Sequence, residues 1–136
     1  MPALVLFDGA LNASFAGSSP VLLSAERLTL DFVLDIAAPA SVQWYLAFTS
    51  DDPNSPSTIW RQEIAEEDVG SGVVNMPKVI RTFQENGGAV LAAGQQAFTA
   101  QFVRSHNFCK VFVRVVSGTV TRCVITAPYG ATVVSP

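Results

Sequence analysis

Leu28-Thr29-Leu30-Asp31-Phe32-Val33-Leu34-Asp35-Ile36 decides the fold class. Large apolar side chains fill every second position, with mostly polar ones between them. A period of two places one set on a single face of an extended chain, which is the signature of a half-buried strand. A few residues on, Val42, Trp44, Leu46 and Phe48 alternate in the same way with Gln43, Tyr45, Ala47 and Thr49. The first set of each run is read as core, Trp44 included.

The same texture extends outward. Further strands are expected at Ala3–Phe7, Val21–Ser24, Thr58–Ile64, Lys78–Phe83, Ala97–Arg104, Phe108–Val116 and Thr119–Thr126. Between them lie Asp51-Asp52-Pro53-Asn54-Ser55-Pro56, Gly70-Ser71-Gly72, Glu85-Asn86-Gly87-Gly88 and Ser117-Gly118, all of turn-forming composition. A short helical turn fits Glu63 to Asp68; Ala89 to Ala93 would suit one too, were it not for the flanking glycines. Many short strands with turns at this spacing predict one all-β domain over residues 1–136, an antiparallel β-sandwich of jelly-roll-like type.

The last two strands are expected to form a hairpin with Ser117-Gly118 as a two-residue turn. Counting from that turn sets Val116 opposite Thr119, Cys109 opposite Thr126 and Phe112 opposite Cys123. Cys109, Val111, Val113 and Val115 then share a core face with Val120, Arg122, Val124 and Thr126. Phe108, Lys110, Phe112 and Arg114 fall on the other face. Aromatics alternate there with cations, a composition too apolar for a plain solvent face and too charged for a dry core. These four residues are the candidate interface. In this register the two cysteines point to opposite faces and no disulfide joins them.

The chain has 136 residues, 49% hydrophobic and only 14% charged. Typical soluble domains carry about 25% charged residues. A lone domain with so few charges exposes much apolar surface, and soluble monomers seldom leave large apolar patches open. A partner chain is therefore expected. Up to Met76 there are two basic residues against ten acidic; from Pro77 onward there are six basic against one acidic. Such asymmetry marks an interaction surface, or it cancels where the two halves interleave in a sandwich. The N-terminus lacks a basic segment followed by an apolar core, so a secretory signal is not expected. No apolar run approaches the roughly 20 residues of a spanning helix, and the sequon at Asn12-Ala13-Ser14 reads as chance.

Chemistry-bearing constellations are sparse. The single histidine, His106, lies in the turn Ser105-His106-Asn107, with no nucleophile elbow in the sequence. Glu63, Glu66, Glu67 and Asp68 read as a solvated acidic turn. Two cysteines and one histidine do not make a zinc site, and Asp51, Asp52 and Asn54 lack the calcium-loop pattern. No enzyme, metal or cofactor is expected. Lys110, Phe112 and Arg114 have the elements of a base-stacking platform, but the isoelectric point near 4.9 opposes nucleic-acid binding. Trp60 and Tyr45 suit sugar stacking, which leaves a carbohydrate- or receptor-binding module as the alternative function.

Ser41-Val42-Gln43-Trp44-Tyr45-Leu46, Phe102-Val103-Arg104, Phe108-Cys109-Lys110-Val111-Phe112-Val113-Arg114 and Ala127-Pro128-Tyr129-Gly130 together resemble small virion proteins of tailed bacteriophages, the head decoration or cement proteins in particular. The likeness lies in strand texture and transfers no individual residue role. It implies a non-enzymatic, β-rich homo-oligomer, often a trimer, that sits on the major capsid protein lattice of a virion and stabilises the shell.

Overall fold

The computed structural model describes residues 4–64, 78–129 and 131–133. Nine strands occur among them, joined in one antiparallel sheet: β1 (Leu4–Gly9), β2 (Ala16–Gly17), β3 (Val21–Leu23), β4 (Arg27–Thr49), β5 (Arg61–Gln62), β6 (Arg81–Thr82), β7 (Gly94–Val103), β8 (Phe108–Tyr129) and β9 (Ala131–Val133). The expected all-β, sandwich-like fold is present. Gly70-Ser71-Gly72, the acidic residues Glu66, Glu67 and Asp68, and Gly130 lie outside the described residues.

Two long strands organise everything else. β4 has 23 residues and β8 has 22, and they pair antiparallel from Thr49↔Phe108 to Thr29↔Tyr129. The ribbon they form folds over on itself. Phe32 and Trp44 belong to opposite halves of β4, yet their rings meet at 4.8 Å. On a straight strand they would stand about 40 Å apart. The first half of β4 with the second half of β8 makes one layer, flanked by β7 and β1. The other two halves make the second layer, flanked by β5 and β6 on one side and β2 and β3 on the other. β9 returns to pair with β3. A long antiparallel ribbon folded across its own core gives the two sandwich-like layers.

Alternation on β4 builds the core as read from sequence. Leu28, Leu30, Phe32, Leu34 and Ile36 are buried in one layer, and Val42, Trp44, Leu46 and Phe48 in the other. Trp44 is packed against Phe32, Phe83 and Phe102. Small residues, Ala37, Ala38, Pro39 and Ala40, occupy the fold-over. Leu91 bridges to Ala40 there and is fully buried, so Ala89 to Ala93 supplies a core plug and no helix. Glu85 and Gly88 exchange backbone hydrogen bonds around Asn86 and Gly87, both at positive φ, as the turn composition anticipates.

The expected final hairpin is absent. Ser117 and Gly118 lie inside β8, and Ser117 pairs with Ser41 of β4. Gly118 has φ near 80°, and its Cα faces the Pro39 carbonyl and the Ala40 Cα at the fold-over. The glycine admits close backbone approach at a bend; it does not reverse the chain. A second irregularity follows. Ile36 pairs with Val120 but Asp35 pairs with Arg122, so Thr121 is an extra residue on β8. Such a bulge flips the alternation beyond it. The buried set is therefore Val120, Cys123, Ile125 and Ala127, in place of Val120, Arg122, Val124 and Thr126. Cys109 lies opposite Phe48 and Cys123 opposite Leu34. Both thiols are free and buried. Both face the core, from opposite halves of β8, and do not point to opposite faces as the hairpin register expected.

The charge asymmetry cancels in part within the chain. Arg122 of β8 grips Asp8 of β1 through two hydrogen bonds of 2.9 Å. Arg81 meets Glu63 at 3.2 Å and Arg61 meets Asp51 at 3.9 Å. Arg122 and Arg81 are late cations beside early acids, because the halves of the chain interleave, whereas Arg61 and Asp51 both belong to the early half.

Candidate functional site: an aromatic cavity on the outer sheet face

The second layer turns its even-numbered β8 residues outward, so Phe108, Lys110, Phe112 and Arg114 do share one face, each half-buried. The register Tyr45↔Phe112 sets two rings side by side across the strands. Their centroids are 4.8 Å apart and nearly parallel. Phe15, just ahead of β2, closes edge-on against Tyr45 at 4.7 Å. Arg114 lies over Phe15 at 4.5 Å and donates two hydrogen bonds to the Gln43 side-chain oxygen. The chain's own segment before β2 therefore covers the Arg114 end of the candidate interface. Gly17 makes that possible: a Cβ there would sit 2.9 Å from the Phe112 ring.

Beyond Phe112 the face opens. Ala47 pairs with Gln62 on one side and Lys110 on the other, and its short side chain leaves a hollow. Tyr45, Trp60, Gln62, Ile64, Lys78 and Phe112 wall that hollow, a cavity of about 430 Å³. Lys110 reaches over Trp60, its Nζ 4.8 Å from the ring centroid. Burial pushes the Tyr45 phenol up from its ordinary value, and the Gln62 amide opposes that in part. The Gln62 Oε1 is buried without a hydrogen-bond partner among the described residues. An amide oxygen held this way is costly unless a donor reaches it. No carboxylate lines the cavity among the described residues. The hollow offers flat apolar rings, cations at its margin and one acceptor open to a donor, a set suited to binding and orienting a partner group.

Phe108, at the end of β8, makes no ring contact among the described residues. Trp60 and Tyr45, read separately as sugar platforms, face one cavity. What sequence reasoning missed are Phe15, Gln62 and Lys78, which the topology alone brings in.

The remaining candidates are dispersed. His106 stacks on Phe48 at 5.8 Å, and its Nδ1 is 2.9 Å from the Ser105 hydroxyl. These are adjacent residues of one turn, and no carboxylate hydrogen-bonds the ring among the described residues. Asp52 accepts the Asn54 backbone N–H in a local turn. No group of three or more His, Cys, Asp or Glu side chains is placed to hold a metal ion among the described residues. No described helix is long and apolar enough to cross a membrane.

In comparisons with known proteins, no family model, no curated protein and no solved structure matches the chain.

Proposed function

We propose that this chain is a non-enzymatic structural protein of a virion, of the head-decoration kind, and that it docks on a neighbouring shell protein through the cavity between Tyr45, Trp60 and Phe112. The observation that carries the docking surface is that cavity, with its fixed rings and flanking cations. Interface hot spots are rich in tryptophan, tyrosine and arginine set in well-packed pockets. A hollow of this size takes one anchoring side chain or loop tip from a partner. The virion assignment is supported by the strand texture and by the low charge of the whole chain, which suits a protein that spends its working life against others. The major capsid protein is the natural partner in that setting. Mass spectrometry of particles purified from the source cells tests the assignment: the chain is expected at a fixed ratio to the capsid protein, and Trp60→Ala should deplete it from particles without unfolding it. Its absence from particles would refute the proposal.

A carbohydrate- or receptor-binding module is the second reading. The buried Gln62 oxygen, without a partner among the described residues and beside three aromatic rings, favours it, since a sugar presents hydroxyl donors and an apolar ring face together. A glycan array separates the two readings. The structural reading expects no strong signal; a strong hit that Trp60→Ala removes transfers the cavity to the second reading.

A further inference from the structure

We infer that β7 is a self-association edge, and that two copies of this chain join by antiparallel β7–β7 pairing about a two-fold axis centred at Ala100. Native sheet edges are ordinarily blunted with charges, proline, bulges or short length. β7 uses none of these devices. It runs for 10 residues, Gly94-Gln95-Gln96-Ala97-Phe98-Thr99-Ala100-Gln101-Phe102-Val103, without a charge or a proline. Its register with β4 is unbroken from Arg27↔Val103 to Ile36↔Gly94. No strand pairs with its far side among the described residues.

The free hydrogen-bonding groups can be assigned. Arg104 donates its backbone N–H to the Glu26 carbonyl, which continues the β4–β7 ladder by one pair. Antiparallel pairs alternate between hydrogen-bonded and non-hydrogen-bonded. Phe102, Ala100, Phe98 and Gln96 therefore turn their N–H and C=O groups toward β4. Gln95, Ala97, Thr99, Gln101 and Val103 turn theirs outward, where a further strand would bond.

The side chains say which strand. Phe98, Ala100 and Phe102 point to the core side and are only half-buried, though they pack on the core. Phe98 stacks on Phe83 at 4.4 Å, and Phe102 meets Trp44 edge-on and carries Arg81 above it. The core thus runs out to this edge, beyond which no further strand lies among the described residues. A second β7, antiparallel and centred at Ala100, sets Phe98 opposite Phe102 of the partner subunit, and Phe102 opposite the partner's Phe98. Those are non-hydrogen-bonded positions, where cross-strand side chains approach most closely. The outward backbone groups of Thr99 and Gln101 then bond those of the partner's Gln101 and Thr99. With no charge along the strand, no register carries like-charge repulsion. An edge that complements itself in this way is what a two-fold, isologous contact requires. The inference is independent of the cavity, which lies on the outer face of the other layer.

Sedimentation across a concentration series tests it with three forms of the full chain. The native protein and Gln101→Ala, which keeps the backbone N–H, should form dimers. Gln101→Pro removes one outward N–H from each subunit without touching the bonds to β4, and should dissociate about tenfold or more readily while staying folded. A native protein that is monomeric throughout the series overturns the inference, as does any oligomer indifferent to Gln101→Pro. Should the proline variant fail to fold, amide exchange in the native protein decides. The Ala97, Thr99 and Gln101 amides should gain protection as concentration rises, whereas Phe98 and Ala100 stay protected throughout. Outward amides that exchange freely at every concentration, or that are already protected in the dilute monomer, overturn it.

Discussion

Gly118→Ala tests whether the β4–β8 ribbon really folds over where the structure places it. Two penalties apply at that position. Gly118 has φ near 80°, where an L side chain costs about 1–2 kcal/mol. An added Cβ would also overlap the Pro39 carbonyl oxygen and stand 2.6 Å from the Ala40 Cα. Both obstacles are backbone atoms of the opposing strand, so no side chain can swing aside; the strands must separate. Forcing excess volume into a packed site costs a further 1–3 kcal/mol, roughly. The sum is about 2–5 kcal/mol, a large part of the roughly 5–15 kcal/mol that holds a typical domain together. Gly87→Ala supplies the control. It shares the same φ of about 80° but has nothing within 4 Å of its Cβ position, so it should cost only about 1 kcal/mol. Urea unfolding of both variants, compared through midpoints at unchanged slope, isolates the close-approach contribution. Equal losses in the two variants would refute the fold-over at Gly118 and restore an exposed hairpin turn there.

Trp44→Ala should destabilise the protein by about 3–5 kcal/mol in urea, since it empties the junction of Phe32, Phe83 and Phe102; a loss below about 1 kcal/mol would put Trp44 outside the core. Burial pushes the Cys109 and Cys123 thiols up to about 12. The folded state thus holds those protons more tightly than the unfolded chain, so stability is intact below the ordinary thiol range and falls from about pH 9 upward, by as much as about 1.4 kcal/mol per pH unit for each thiol. Urea titrations between pH 8 and about 11 should show that slope, and it should flatten in Cys109→Ala/Cys123→Ala. Asp8 is held below its ordinary value by hydrogen bonds from Arg122, so β1 should loosen as acid protonates it; a fall in acid of the protection of β1 amides relative to their intrinsic exchange rates, absent in Asp8→Asn, is the expected result. Unreduced, alkylated protein should yield no linked Cys109–Cys123 peptide, and finding one would contradict the two free thiols of the structure.

The faces of β4 were legible because period-two alternation is a local property: Leu28 to Ile36 and Val42 to Phe48 are buried as their pattern says. That these are two halves of one strand was hidden by Ala37-Ala38-Pro39-Ala40, whose composition suits a loop and a bend equally. Ser117-Gly118 misled for a related reason. A glycine at positive φ serves a tight turn or a close backbone approach, and only the opposing Pro39 reveals which. The bulge at Thr121 is set by pairing across the sheet and has no local signature, so the core face beyond it was misplaced. The site divides in the same way. Phe108, Lys110, Phe112 and Arg114 share a face by counting. Tyr45 and Phe112 meet through a register between strands far apart in sequence, and Phe15 arrives from a third segment.

The ribbon also governs the order in which the chain acquires structure. Among the described residues, β1 and β2 pair only with β8, and β3 only with β8 and β9. During synthesis, everything up to Leu23 must wait for residues beyond 107 before its backbone has a strand to bond. β4 meanwhile has β5, β6 and β7 along one side and an open edge along the other. Closing so many distant pairings at once makes for slow folding, and an apolar chain waiting with bare strand edges is prone to aggregate. The arrival of β8 completes both layers in a single step, so neither layer can mature, or melt, without the other.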